Sequence, residues 1–358
     1  MVSIARGAAA TTDIARSVGV HADACSAVRV RARDGAIDTM RGFAILMVIA
    51  IHALAGADKT DMMVIDSIFR PCVPVFLFTA GLLSARMPHI PLMRRLLRAL
   101  VPYTIAFMAA YLFMAVDNPA FDQRPLITLA RYGFAYVFVY YYVFVYVGCT
   151  LALWLLFIAA GRDKQLRQQN MILFCALAIV IGLAAGAYLD PLLQRHGVSS
   201  GFVEEVRMRD IPFWFAFVAL GVIVGMSDAQ APLQRLRWPL AALTVVAYAA
   251  YAAIRVTHIG DAADYDSMAF FLYSALFCLT MLGFAFEWPA LAFLGSASYF
   301  IYLWHYFIIQ LLRHWQGLQH FTATAIVTEF AAALVVSAAL AALIRRSGAP
   351  RLAQWLGA

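Results

Sequence analysis

The chain has 358 residues, of which 64% are hydrophobic and only 13% charged, with a mean hydropathy of +0.79. A water-soluble domain is about half apolar and about a quarter charged, so a soluble fold could not cover this much apolar surface; lipid must be the solvent. The net charge of +7 does not mark a nucleic-acid binder, because the basic residues gather in short loops between apolar runs, which is a topology signal of membrane proteins.

Residues 1–34 are Ala-rich with scattered Arg and hold no apolar run of useful length. They lack the h-region and cleavage site of a secretory signal and are expected to form a disordered cytoplasmic tail. A spanning helix needs about 20 mostly apolar residues. Ten candidates follow, at roughly 36–55, 69–87, 95–116, 132–159, 170–189, 211–227, 237–256, 267–286, 289–312 and 322–344. The fourth is long enough to be tilted, kinked or split. Strand-like alternation is absent, which excludes a barrel. The expected fold is all-α, a polytopic integral membrane bundle over residues 35–345, with a short cytoplasmic tail at 346–358.

Orientation follows from Lys and Arg. With the N-terminus inside, the inner loops hold Arg94, Arg95, Arg98, Arg162, Lys164, Arg167, Arg345 and Arg346, while acidic residues such as Asp58, Asp66, Asp117 and Glu204 gather outside. This satisfies the positive-inside rule and leaves both termini cytoplasmic. No internal repeat of the kind that builds secondary transporters is visible.

The first span carries Asp38, Arg41 and His52. Arg41 and His52 are eleven residues apart, three turns plus about 20°, so they share a face, with His52 roughly 16 Å nearer the outer end. Asp38 lies one turn before Arg41 on that face. Charges within a span are costly and usually face a protein-lined cavity. Headgroup snorkelling by Arg41 and an interfacial His52 would explain each alone; their shared face favours a site.

Two further clusters stand out. The loop after the second span ends with Met93-Arg94-Arg95-Leu96-Leu97-Arg98, where Arg95 and Arg98 are one turn apart and suit a phosphate, although simple positive-inside anchoring would need the same charges. The ninth span reads Ser298-Tyr299-Phe300-Ile301-Tyr302-Leu303-Trp304-His305. Ser298, Tyr302 and His305 fall on one face, and an aromatic belt accounts for the Tyr and Trp but not for the histidine. The five cysteines form no C-x-x-C, and the eight histidines no zinc spacing, so neither a disulfide framework nor a metal is expected.

Together, Arg41-x10-His52, the run Phe76-Leu77-Phe78-Thr79-Ala80-Gly81-Leu82-Leu83, Arg95-x2-Arg98 and the Ser298–His305 segment resemble the acyltransferase-3 family of membrane O-acyltransferases. Ala80-Gly81 stands where the family usually has Ser-Gly. The resemblance implies an acyl-CoA donor, usually acetyl-CoA, on the inner side and no permanently bound cofactor. It implies a carbohydrate acceptor outside, such as exopolysaccharide, O-antigen or a lipid-linked sugar, and placement in the plasma (inner) membrane. Some members append an esterase-like domain, for which this chain is expected to have no room. Under this reading His52 is the general base, since an imidazole titrates near neutrality. Asp38 orients Arg41, and Arg41, Arg95 and Arg98 hold the donor. His305, Ser298 and Tyr302 orient the acceptor or stabilise the oxyanion. The competing expectations are a polysaccharide or lipid-linked-sugar flippase without acyl transfer, and a sensor without chemistry.

Overall fold

A computed structural model describes residues 34–54, 60–161, 163–227, 229–259, 265–316 and 322–358. Of the expected N-terminal tail only Asp34 is among them. Gly35–Ala358 forms one compact unit.

The described residues fold into helices only. In chain order these are α1 (Gly35–Leu54), α2 (Thr60–Phe69), α3 (Cys72–Ala85), α4 (Leu92–Asp117), α5 (Pro125–Gly133), α6 (Tyr141–Ala159), α7 (Lys164–Arg195) and α8 (Ser200–Met208). They continue with α9 (Ile211–Met226), α10 (Gln230–Arg235), α11 (Arg237–Thr257), α12 (Met268–Phe284), α13 (Pro289–Ser296), α14 (Ser298–Gln316), α15 (Ala323–Arg346) and α16 (Pro350–Leu356). Helices dominate because in lipid every backbone N–H and C=O must be satisfied within the protein.

Each of the ten expected spans finds a helix, with differences. Eight elements among the described residues are long and apolar enough to cross, counting α2 with α3 and α8 with α9 as continuous pairs. The expected ninth span is broken, with α13 and α14 meeting at a bend of 78°. The expected eighth, α12, has 17 residues; at 1.5 Å per residue that is about 25 Å, short of a full hydrocarbon core. The expected fourth span, 132–159, begins too early: its helix is α6, residues 132 and 133 close α5, and between the two helices Ala135 and Phe138 take positive φ values of 51° and 50°.

Helix packing places the site. Without a hydrophobic drive between helices in lipid, close approach through small residues supplies van der Waals contact. Gly42 of α1 lies against the Leu291 carbonyl of α13, and Gly295 of α13 lies against the Asp38 carbonyl of α1. Gly81 of α3 meets the Val218 carbonyl of α9, while Gly221 of α9 meets the Phe78 carbonyl of α3. A Cβ at any of these four would overlap backbone oxygen. The α1 helix is thereby locked among α3, α13, α14 and α15, and thirteen of its residues are buried, the polar Asp38 and Thr39 among them. The C-terminal α16 packs on α4.

Candidate active site

Two helices carry the site, and they meet at two places. Near the start of α1, the Arg41 Nη2 donates to Ser298 Oγ at 3.0 Å, at the first residue of α14. Asp38 stands 3.8 Å from the Arg41 Nη1 on the same helix. Two turns further along α14, and three along α1, the rings of His52 and His305 lie 5.3 Å apart and tilted by 34°. The intervals differ, eleven residues against seven; the crossing of the helices and the reach of Arg41 take up the difference. The break at Ala297 makes this possible. It frees Ser298 to begin a new helix that turns away from α13, and Arg345 secures the end of α13 by donating to the Ser296 hydroxyl at 2.6 Å and its carbonyl at 2.9 Å.

The two meeting points open onto two cavities. The first has a volume of about 370 Å³ and is lined by Arg41, Arg95, Arg98, Phe76, Tyr146 and Tyr299, among others. Three arginines from α1 and α4 thus line the same cavity, and among the described residues no carboxylate lines it. The second cavity, of about 20 Å³, is bordered by His52, Ile51, Val73, Tyr141 and Tyr302. Tyr142 of α6 lines both. Its ring packs against Phe76 at 5.9 Å and edge-on to Tyr302 at 5.4 Å, so a partition of aromatic rings separates a wide basic cavity from a narrow imidazole chamber.

The hydrogen bonds define what each group offers. His305 is fully buried, and its Nδ1 lies 3.0 Å from the Ile301 carbonyl and 2.8 Å from that of Tyr302. A carbonyl only accepts, so Nδ1 carries the proton and Nε2 carries the lone pair. That Nε2 has no hydrogen-bond partner among the described residues. A buried acceptor left unsatisfied carries a free-energy cost, and here it lies on the histidine that faces His52. Tyr302 donates its hydroxyl to the Val139 carbonyl at 2.7 Å, so its ring edges the chamber while its oxygen is committed elsewhere. Ser298 lies with Arg41 at the basic end, seven residues from His305 along α14.

Three contributors were not singled out from the sequence. Tyr142 sits in a run of similar tyrosines, and only the fold distinguishes it. Arg313 of α14 pairs in bidentate fashion with Glu329 of α15, Nε to Oε1 at 3.0 Å and Nη2 to Oε2 at 2.7 Å. The same Nη2 donates to the His52 carbonyl at 3.1 Å, which holds the end of α1 where the imidazole projects. The signal for Glu329 was legible, because a lone carboxylate inside an apolar span marks a paired or functional position. Above the chamber, Asp66 accepts from Arg70 at 2.7 Å and from Arg255 at 2.9 Å, and the Arg70 guanidinium stacks 4.8 Å over Tyr265, another chamber wall.

An α-helical bundle with at least eight elements among its described residues long and apolar enough to cross a membrane, a cluster of guanidinium groups at one end of α1 and two facing imidazoles at the other is an integral membrane protein with a polar site across its interior. Residues 34–346 match a family model described as an acyltransferase domain. The chain therefore belongs to the acyltransferase-3 family and is a membrane acyltransferase. Comparison with curated proteins and with solved structures gave no match.

Proposed function

We propose that the protein moves an acyl group, acetyl in the simplest case, from acyl-CoA in the cytoplasm to a hydroxyl of a carbohydrate on the outer side of the inner membrane. The observation that carries this reading is the paired arrangement along α1: a 370 Å³ cavity lined by Arg41, Arg95 and Arg98 and a chamber at His52, with Tyr142 lining both. Guanidinium forks suit the phosphates of CoA. The thioester then reaches the partition, and the acceptor hydroxyl approaches His52 from the side that His305 borders, apart from the small chamber. Termini in the cytoplasm fit this polarity, since Arg41, Arg95 and Arg98 stand at the end that the positive-inside rule assigns to that compartment.

In the transfer step the acceptor hydroxyl oxygen attacks the thioester carbonyl carbon. An imidazole nitrogen of His52 takes the hydroxyl proton. The tetrahedral intermediate collapses with cleavage of the carbon–sulfur bond, and the proton passes to the departing CoA sulfur, giving an ester and free thiol. His305, with its Nε2 lone pair beside His52, orients the donor N–H or O–H that enters the gap. Asp38 holds Arg41 in place, and Arg41 with Ser298 ties the donor end of α1 to α14. Tyr302 shapes the acceptor side. Membership of an acyltransferase family weighs against a flippase without acyl transfer.

The test compares His52→Ala and Arg41→Lys with the parent by mass spectrometry of surface glycans from intact cells. General acid–base groups contribute about 10²–10⁴-fold, so His52→Ala is expected to leave ester content near background at normal protein levels. Arg41→Lys keeps the charge but loses the fork, and a severe loss is expected there too. Normal esterification in His52→Ala would reject the general-base role.

A further inference from the structure

The two cavities differ in size by more than an order of magnitude, about 370 Å³ against about 20 Å³. A space of roughly 10–15 Å³ holds one water, so the His52 chamber has room for about one methyl-sized group. Its walls are fixed from several sides. Tyr302 is pinned by its hydrogen bond to the carbonyl of Val139, itself a lining residue. Ile51 and Val73 are 8% and 5% exposed and come from different helices, α1 and α3. Widening the chamber by moving Tyr302 would break that bond.

We infer that this chamber selects the length of the transferred acyl group, with Ile51 and Val73 closing it to anything longer than two carbons. The inference rests on the acyl-transfer reading above. The donor phosphates stay in the wide basic cavity, the thioester carbonyl stands at the Tyr142 partition, and the acyl methyl enters the space beside His52. A third carbon has no volume there, because forcing a methylene into a packed apolar site requires strained rotamers or backbone shifts. Neither Ile51 nor Val73 has a proton to give or take. Their part is specificity, and Tyr142 and Tyr302 supply aromatic rings to the same lining.

The experiment supplies membrane vesicles containing the enzyme and its native glycan with an equimolar mixture of acetyl-, propionyl- and butyryl-CoA, and reads the esters formed by mass spectrometry. One methylene in an apolar pocket discriminates by about 10–200-fold, so the parent is expected to favour acetyl over propionyl by at least about tenfold. Ile51→Ala and Val73→Ala are each expected to raise the propionyl-to-acetyl ratio by about tenfold or more while acetyl esters still form. Val139→Ala, outside any helix, takes the place of either variant that fails to accumulate. A parent that uses all three donors equally, or accumulated variants whose ratio matches the parent's, would overturn the inference and leave acyl transfer intact. A parent that transfers no acyl group from any donor would overturn the acyl-transfer reading itself and this inference with it.

Discussion

Glu329 is 2% exposed, and its carboxylate is matched by Arg313 through two hydrogen bonds. Removing one member of a buried pair leaves the other uncompensated, at a cost of about 3–5 kcal/mol. Arg313 also holds the His52 carbonyl, so the loss is transmitted to the end of α1. Glu329→Gln keeps the shape and loses the charge. It is expected to lower the melting temperature in detergent and to reduce ester formation in the membrane fraction. Changing both partners, Arg313→Met with Glu329→Leu, is expected to recover much of the stability but not the activity, because no donor then reaches the His52 carbonyl. Recovery of both would show that the pair only fills space. At this scale much of the candidate site was legible in the sequence. Arg41, His52, Arg95, Arg98 and His305 announce themselves as polar side chains in apolar surroundings, whereas Tyr142 is one aromatic among many and acquires meaning only from the two cavities it divides.

Among elements, α1 and α13 make the closest approach that the site depends on. Gly42 and Gly295 each face the other helix's backbone carbonyl, so the interface has no room for a methyl group. Overpacking of this kind costs about 1–3 kcal/mol. Gly295→Ala is expected to destabilise the folded protein by that amount and to lower acyl transfer more than accumulation, since parting α13 from α1 also shifts Ser298 from Arg41. A thermal-shift measurement in detergent, paired with glycan ester content, checks both halves. Gly133→Ala is the control, for a Cβ there meets nothing within 4 Å. The broken span was read as one continuous helix because hydropathy is blind to direction. Residues 289–314 are apolar throughout in composition, and the 78° bend arises from how α13 seats on α1 and how Arg345 holds the Ser296 carbonyl. The same blindness started the fourth span at 132, ahead of the turn through Ala135 and Phe138 that precedes α6.

Over the whole molecule, the proposed polarity of the site demands one orientation of the bundle. Arg94→Cys, next to the basic cavity on exposed α4 backbone, and Arg124→Cys, at the exposed entrance to α5, sit on opposite sides in that orientation. A membrane-impermeant maleimide added to intact cells is expected to label the second and spare the first; the reverse pattern would place the donor cavity outside and sink the cytoplasmic-donor reading. The sequence by itself determined that this chain lives in lipid, that it is all helix, roughly where each span lies and which few ionisable residues pay the cost of being there. Those are consequences of composition and of one-dimensional spacing along a helix, and they need no partner helix to be true. Only the tertiary structure decided that His52 faces His305, that Arg313 and Glu329 brace the helix between them, and that one tyrosine divides a wide cavity from a narrow one. Such relations depend on how separate helices cross and rotate about their axes, which glycine contacts and buried pairs far apart in the chain settle jointly.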